Sequence, residues 1–268
     1  MSHLAVPTAA QDRRYVTALA RGMELLHCFR WGERWLPHQE LTRRSRLPKA
    51  TVSRLAFTLC ALGYLVHDAA KGAYALGPGG LTLGLRVLAN DDVSSIARPV
   101  LEELATASGA AVSLGVRHQL SMVYVAHARG NGRLSLSLDV GARLPIESTS
   151  MGRAFLCVVP EYKRAELHAQ LQEKLGPRWK TTQAALQRAA EQYRQVGFVT
   201  SLGEWDTDIS AVGAAIDVGH GGEPYALTIG GPSNVLTRQR LLDELGPRLA
   251  AAALRIQQAI RNGRPAAG

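Results

Sequence analysis

The sequence lacks a long hydrophobic run. No stretch of 18 or more consecutive apolar residues occurs among its 268 residues, which argues against a transmembrane helix. The N-terminal sequence MSHLAVPTAAQDRRY places no basic segment ahead of an apolar core, so it does not resemble a signal peptide. We therefore expect a cytoplasmic protein with no membrane partner and a short disordered leader.

Cysteine is also scarce. Cys28, Cys60 and Cys157 lie far apart in apolar segments, and this odd number at such spacing fits neither a disulfide framework nor a zinc site. We expect buried, reduced thiols. The eight histidines are scattered in the same way, so the sequence predicts no metal site.

Motifs of catalysis are missing as well. No nucleophile elbow GxSxG occurs, and no carboxylate pair stands out on an apolar helix face. RGNGR at 129–133 lacks P-loop spacing and is interpreted as a hairpin turn, while GHGGEP at 219–224 is interpreted as a β-turn. We predict no catalytic residue and no cofactor.

Positive charge is present in excess, and it is unevenly distributed. Residues 1–86 hold 12 Lys and Arg against 5 Asp and Glu, whereas residues 87–268 hold 19 against 17. Most of the net charge of +9 therefore lies in the first third of the chain. Basic charge gathered in one small module indicates a polyanionic partner, although it can also serve solubility alone.

The first third shows the pattern of three helices followed by a hairpin. TALARGMELLHCF places Leu19, Met23, Leu26 and either Leu25 or Phe29 on one helical face. HQELTRRSR predicts a short basic helix, and a third helix starts near Pro48 and stops around Gly63. YLVHD and AYALG, joined by AAKG, predict a β-hairpin. This order is that of a winged helix-turn-helix.

The third helix carries the strongest indication of function. Its expected apolar face consists of Val52, Leu55, Leu59 and Leu62. A recognition helix enters the major groove N-terminus first, where Arg, Ser and Thr reach base edges and phosphates. The predicted DNA-contacting residues are Arg43, Arg44, Lys49, Thr51, Ser53, Arg54, Thr58 and Lys71. The alternative is an ordinary three-helix unit with a solvated basic face.

The rest of the chain predicts an α+β domain. Its expected elements are helices at 79–88 and from 93, strands at 110–118, 121–129 and 134–141, helices at 150–158, 160–175 and 181–196, strands at 198–204, 210–218 and 225–231, and a terminal helix from Arg238. Strands, then helices, then strands predict an antiparallel sheet with helices packed on one face. The apolar stripe of the terminal helix is Leu242, Leu245, Leu249, Ala252, Ile256 and Ile260.

These segments together resemble the IclR family of bacterial transcriptional regulators. The motifs that carry the resemblance are RGMELLHCF, LPHQELTRRSRLPKATVSRLAFTLCALGYLVHD, AYALGPGGLTLG, GARLPIESTSMGRAFL, VGFVTSLGEWDTDISAVGAAIDV and ALTIGGPS. They cover about residues 15–262 in the family's order. The resemblance implies a helical linker, a GAF-like effector-binding domain, and a dimer or tetramer that binds double-stranded operator DNA.

The resemblance also implies an effector pocket. Carried onto this sequence, its positions are Ser150, Met151, Ser201, Ala211, Thr228 and Gly230. Independently, Ser148 to Ser150 precede the helix MGRAFL, whose free N–H groups and positive dipole end suit a carboxylate. The alternative is that these hydroxyl residues only cap that helix.

The effector is expected to be rather apolar. Several family members carry small or polar residues where this chain has Met151, Ala211 and Gly230. Trp205 is interpreted either as a lid or wall that stacks on a ring or as an exposed loop residue. We expect a small-molecule carboxylate, aromatic or of medium chain length.

The expected boundaries are a disordered leader 1–14, a winged helix-turn-helix domain 15–77, a linker helix 78–92, a GAF-like effector-binding domain 93–262 and a flexible tail 263–268. The predicted function is a ligand-responsive DNA-binding transcriptional regulator, repressor or activator, of a catabolic operon. Two other classes stay open: an enzyme of hydrolase or transferase type with an appended basic domain, and an architectural DNA binder that senses no ligand.

Overall fold

The computed structural model describes residues 14–30, 32–131, 138–219 and 221–263. The chain divides into two compact units between Asn90 and Asp91. The predicted segments that lie wholly or partly outside the described residues are the leader 1–14, the turns 129–133 and 219–224, the strand 134–141 and the tail 263–268. No described helix is both long and apolar enough to cross a membrane.

The N-terminal unit is a winged helix-turn-helix, as predicted. Its elements are α1 (Thr17–His27), β1 (Leu36–Pro37), α2 (His38–Ser45), α3 (Lys49–Ala61), β2 (Leu65–Asp68), β3 (Ala73–Leu76) and α4 (Pro78–Ala89). The strands form an antiparallel sheet in the order β1-β3-β2. Arg46 ends α2 in the left-handed conformation, and Pro48 is the N-cap of α3, where a missing N–H breaks no helical hydrogen bond.

Small residues occupy part of the core of this unit, and the predicted helix faces are wrong in detail. Leu19 and Met23 of α1 are 66% and 46% exposed, and the buried positions of this helix are Gly22 and Leu25, of which only Leu25 was among the predicted alternatives. A face chosen by side-chain size alone misses a buried glycine.

The same error affects α3. Leu62 is 63% exposed, whereas Ala56 is completely buried between Val52 and Leu59. The buried stripe is therefore rotated toward Ala56. The remaining large members of this core are Leu25, Leu36, Leu41 and Leu65.

The helix α4 buries none of its residues within the chain. Its apolar side chains Leu81, Leu83, Leu85 and Val87 are all at least 48% exposed. A helix that keeps its apolar side chains in water is a surface available to another molecule.

The C-terminal unit is built around an antiparallel sheet, as predicted. Its elements are α5 (Asp92–Ser108), β4 (Ala111–His118), β5 (Ser121–Ala128), β6 (Arg143–Pro145), α6 (Ser150–Val158), α7 (Glu161–Leu175), α8 (Trp179–Val196), β7 (Val199–Leu202), β8 (Ile209–Ile216), β9 (Tyr225–Pro232), α9 (Arg238–Arg240) and α10 (Gly246–Arg261). The strand order is β6-β5-β4-β9-β8-β7. The late strand β9 thus lies beside the early strand β4, which brings the two ends of the domain together.

Helices cover both faces of this sheet. The helix α6 lies against the face that contains Gly115 and Gly213, and α5 and α10 pack together against the sheet. On the face away from α6, Val212, Ala214 and Leu227 are completely buried. The expectation of a single covered face is wrong, because the central strands are apolar on both sides.

The stripe predicted for the terminal helix is largely confirmed. Leu245, Leu249, Ala252 and Ile256 are buried, whereas Leu242 and Ile260 are half-buried. A π-helical turn over Leu241–Leu245 joins α9 to α10. The inserted residue of that turn changes which residues face inward, which the 3.6-residue period does not anticipate.

Strand β5 contains a bulge. The register between β4 and β5 shifts at Leu114/Gly115, and Val125 is left without a pairing partner. One extra residue reverses the alternation of side chains. Tyr124 and His127 consequently lie on the same face of the sheet although they are three residues apart, and their rings stack with centroids 6.2 Å apart.

Candidate DNA-binding surface and effector cavity

The solvent-facing side of α3 carries most of the predicted DNA-contacting side chains. Lys49, Ser53, Arg54 and Thr58 are exposed, and Thr51 is half-buried. The surface therefore combines one guanidinium, one ammonium and three hydroxyl groups, which can donate hydrogen bonds to base edges and phosphates. Ser53 and Thr58 also donate to the helix carbonyls of Lys49 (3.1 Å) and Arg54 (3.0 Å).

Two features of this surface were missed from the sequence. The side chain of Phe57 is 76% exposed, one turn beyond Arg54. His38 of α2 lies with its Nε2 3.0 Å from the hydroxyl oxygen of Ser53. The rotated buried stripe accounts for the exposure of Phe57, because it turns this residue outward together with Arg54 and Ser53.

The structure contradicts the predicted phosphate contact of Arg44. Its side chain is only 14% exposed. The guanidinium donates to Glu33 (2.9 Å), to Glu40 (2.6 Å) and to the carbonyl of Cys28 (2.9 Å). Its donors are committed within the protein, so Arg44 fastens α2 to the preceding loop. A run of two arginines does not reveal which one turns inward.

Arg43 and Lys71 remain exposed, but each is paired with an acid. Arg43 donates to Glu40 at 2.8 and 2.6 Å, and the hydrogen bonds from Arg43 and Arg44 lower the pKa of Glu40 to about 2. Lys71, near the tip of the wing, contacts Asp68 (2.8 Å) and lies 4.7 Å from the ring centroid of Trp35. Each acid therefore offsets part of the positive charge that these side chains offer to a phosphate, although donors of both cations remain exposed.

In the C-terminal unit, all seven residues selected from the sequence line one cavity. They are Ser150, Met151, Ser201, Trp205, Ala211, Thr228 and Gly230. The other described residues of its lining are Tyr124, Leu138, Leu144, Thr149 and Ile209. The cavity is thus bounded by the first turn of α6, the face of the sheet and the loop after β7.

Hydroxyl groups concentrate at the first turn of α6. Thr149 caps the helix by accepting from the Gly152 N–H (3.2 Å). Ser150 does not act as the cap; its hydroxyl oxygen lies 3.0 Å from that of Thr228. The N–H groups of Ser150 and Met151 have no acceptor within the helix, so a positive dipole end faces the cavity.

Glycines let α6 approach the sheet, and the sequence interpretation did not single them out. A Cβ on Gly213 would overlap the backbone of Ser150, and one on Gly115 would overlap the sulfur of Met151. Gly213 is the glycine of the motif AVGAAI. Its role becomes apparent only when the helix is seen above the strand.

The loop after β7 is held in place by an ion pair. Arg153 of α6, with a side chain 6% exposed, lies 3.0 Å from Glu204, and Glu204 also accepts from the Leu202 N–H (2.8 Å). Burial opposes ionisation of Glu204, but the Arg153 guanidinium prevails and lowers its pKa. The adjacent Trp205 is half-buried and packs against the core, which favours the wall over the exposed loop residue.

A second pocket of about 10 Å³, called here the second lobe, adjoins the cavity and shares Tyr124, Leu138, Thr228 and Gly230 with it. It is lined by Ala111, Ser113, Tyr124, His127, Leu138, Thr228 and Gly230. Burial raises the pKa of Tyr124 to about 12, a change that a hydrogen bond with Ser113 partly offsets. Sequence reasoning missed His127 because the bulge that turns it inward has no readable signal. No group of three or more His, Cys, Asp or Glu suited to a metal ion occurs among the described residues.

Known proteins are similar to this chain over nearly its whole length. The family model of the IclR helix-turn-helix domain matches residues 18–69, and that of the bacterial transcriptional regulator IclR C-terminal domain matches residues 85–258. The HTH-type transcriptional regulator TsaQ1/TsaQ2 of Comamonas testosteroni is 32% identical, over 98% of this chain and 96% of that protein. The Pca regulon regulatory protein of Pseudomonas putida is 28% identical, over 90% of this chain and 83% of that protein.

A solved structure is similar to this chain across both units. The crystal structure of an IclR family transcriptional regulator from Brucella abortus has a TM-score of 0.83 and 37% identity, and the match covers 96% of this chain and 97% of that one. With both family domains matched in order, the chain belongs to the IclR family of bacterial transcriptional regulators.

Proposed function

We propose that this transcriptional regulator senses a small organic carboxylate, bound in the cavity at the first turn of α6, and that the bound acid changes its affinity for operator DNA. One observation carries the proposal: seven residues chosen without coordinates line a single cavity. An aromatic or medium-chain acid of a catabolic pathway is the effector class that fits its chemistry.

The carboxylate would lie at the N-terminus of α6. The unpaired N–H groups of the first turn are the donors, and the helix dipole favours a negative charge there. The one buried guanidinium nearby, Arg153, is already neutralised by Glu204. The cavity therefore offers polar donors and no free buried cation among the residues described.

Apolar side chains would hold the body of the effector. Trp205, Met151 and Leu144 supply an aromatic ring, a thioether and a branched chain. The cavity volume is about 30 Å³, which is room for only one or two water molecules. A ring-containing acid must displace side chains, and Met151 is suited to move because it has three rotatable bonds.

Operator binding would use α3 and the wing. Arg54 is the base-reading residue, with Ser53 and Thr51 beside it, while Lys49 and Lys71 contact phosphates. Phosphate contacts of this kind make affinity depend on salt. Arg43 is a further proposed phosphate contact. Arg44 is excluded from the proposed DNA contacts, because its guanidinium is bound within the protein.

The protein would bind its operator as a dimer or tetramer. A palindromic operator requires two winged helices at a fixed spacing, and the exposed apolar side chains of α4 give a second copy a surface to cover. An effector shifts the equilibrium only by its difference in affinity for the two arrangements of the dimer or tetramer. The oligomeric regulator would act in the cytoplasm.

An enzymatic role has weaker support. Ser150 contacts the hydroxyl of Thr228 instead of a basic side chain, so it lacks the activation that a serine nucleophile needs. Burial raises the pKa of Cys157 to about 11, which keeps this thiol protonated at neutral pH. We therefore propose a regulator without catalytic activity.

A ligand screen tests the proposal. The full-length protein is melted with a panel of aromatic and aliphatic carboxylates, and the acids that raise the melting temperature are added to an operator gel shift. We expect at least one acid to stabilise the protein, as any ligand of the native state must, and to change DNA binding. A panel that leaves both readouts unchanged would overturn the carboxylate effector.

A further inference from the structure

The second lobe of the cavity contains a polar atom that the carboxylate site does not use. The Nδ1 of His127 lies 2.9 Å from the hydroxyl oxygen of Ser113. Its Nε2 is buried and has no hydrogen-bond partner among the described residues. Folded proteins seldom leave a buried ring nitrogen unpaired, so a ligand or an ordered water is expected there.

A row of polar side chains joins this atom to the first turn of α6. Ser113 of β4 pairs with His127 of β5 on one side and with Thr228 of β9 on the other. Thr228 in turn contacts Ser150 at 3.0 Å. Two strand spacings separate His127 from Thr228, or about 10 Å. A molecule with polar groups at both ends of an apolar body could reach from one end of this row to the other.

The chemistry of the lobe selects a neutral group. Burial lowers the pKa of His127, so the imidazole is uncharged at neutral pH and Nε2 either donates or accepts, according to its bond with Ser113. A hydroxyl group can satisfy either tautomer. A second carboxylate would place another charge among Leu138, Tyr124 and Ala111, where burial disfavours it.

We infer that His127 binds a hydroxyl group at the far end of the effector, which makes the effector class a hydroxylated aromatic carboxylate. The inference rests on the proposed carboxylate site at α6. His127 is then the residue that selects hydroxylated acids, and Ser113 positions its ring.

Matched pairs of acids test this role. The full-length protein is titrated calorimetrically with 4-hydroxybenzoate and benzoate, and with 4-hydroxyphenylacetate and phenylacetate. We expect the hydroxylated acid of a pair to bind about tenfold or more tightly, since its partner leaves Nε2 unsatisfied. His127→Phe should abolish this preference and His127→Gln should retain part of it. His168→Phe, at a half-buried histidine of α7, should leave the preference intact.

A spectroscopic measurement covers a variant that fails to fold. In the wild-type protein, the ¹⁵N resonance of His127 Nε2 should shift on binding of the hydroxylated acid and stay in place with the unsubstituted one. Equal binding of both members of every pair would overturn the role of His127 and leave the carboxylate site standing, with water at Nε2. If no acid of either pair binds, the carboxylate site fails for aromatic acids and the inference fails with it.

Discussion

The hydroxyl oxygens of Ser150 and Thr228 lie 3.0 Å apart, and their contact joins the first turn of α6 to the centre of β9. Thr228 donates its proton to the carbonyl of Val212 (3.0 Å). Because a hydroxyl has only one proton to give, Ser150 is the donor to Thr228. Thr228 thus fixes the direction of the Ser150 hydroxyl at the point where we propose that the carboxylate binds.

Replacing Thr228 should weaken the response to effector. Thr228→Val keeps the shape of the side chain but leaves Ser150 without its acceptor. We expect the effector concentration for half-maximal change in DNA binding to rise about threefold to tenfold, the value of one hydrogen bond. DNA affinity of the free protein should not change. Gel shifts at increasing effector measure both, with Thr181→Val on the exposed surface of α8 as control. An unaltered response would show that the cavity is not the effector site.

Adding a methyl group at Gly213 should destabilise the C-terminal unit. The new Cβ would overlap the backbone of Ser150, and neither the strand nor the helix can yield cheaply. We expect Gly213→Ala to lower the free energy of unfolding by about 1–3 kcal/mol. Gly84→Ala is the matched control, because its Cβ meets open space in α4 and should stabilise that helix by up to about 1 kcal/mol. Denaturant titrations compare the two.

Gly213 illustrates which parts of the structure the sequence predicts and which it does not. The winged helix-turn-helix and the α+β sheet follow from hydrophobic periodicity and from turn and cap residues, which depend on residues close in sequence. Six of the cavity residues were placed through the resemblance and Trp205 through its position in the loop, and all seven come together. The approach of α6 to Gly213 depends on residues far apart in the chain, so no local pattern encodes it.

Corrections at other positions have a similar origin. The faces of α1 and α3 were chosen by residue size, whereas Gly22 and Ala56 occupy the core. Arg44 was assigned to DNA because it lies in a basic run, but its partner Glu33 is eleven residues away. His127 was left among scattered histidines, because one extra residue in β5 decides which face it occupies.

Arg43 and Arg44 should differ when each is replaced by alanine. Arg44→Ala removes the guanidinium that links Glu33, Glu40 and the Cys28 carbonyl, so we expect faster amide hydrogen exchange in α2 and a lower melting temperature. Arg43→Ala should preserve both. Instead it should reduce the salt slope of operator binding by about 1, as expected for one lost phosphate contact. Similar exchange rates in the two variants would contradict the structural role of Arg44.

Arg54 should determine operator choice. Its exposed position at the centre of the solvent face of α3 suits contact with a base. We expect Arg54→Ala to weaken operator binding by about 1–3 kcal/mol and to relax specificity at one base pair of each half-site. Arg188→Ala on α8 removes the same charge away from that surface and controls for net charge. Gel-shift titrations on the operator and on single-base variants measure both effects; unchanged affinity would reject the role.

The ion pair that holds the Trp205 loop should give a pH-dependent contribution to stability. Arg153 lowers the pKa of Glu204 below its ordinary 4.5. A lowered carboxyl pKa contributes stability that is fully present above that ordinary value and is lost as the pH falls through the folded-state pKa. The side chain of Glu204 is 43% exposed, so solvent screening keeps the effect modest.

Glu204→Gln should therefore lower the melting temperature at pH 7, and the difference from the wild type should shrink as the pH falls below 4.5 and the wild-type carboxyl becomes protonated as well. Loss of the pair should also free the loop and change the fluorescence of Trp205 at pH 7. Glu173→Gln, on the exposed side of α7, should show neither change. Because the pair acts only when Glu204 is ionised, a difference between variant and wild type that persists undiminished in acid would mean that Arg153 is not what holds this loop.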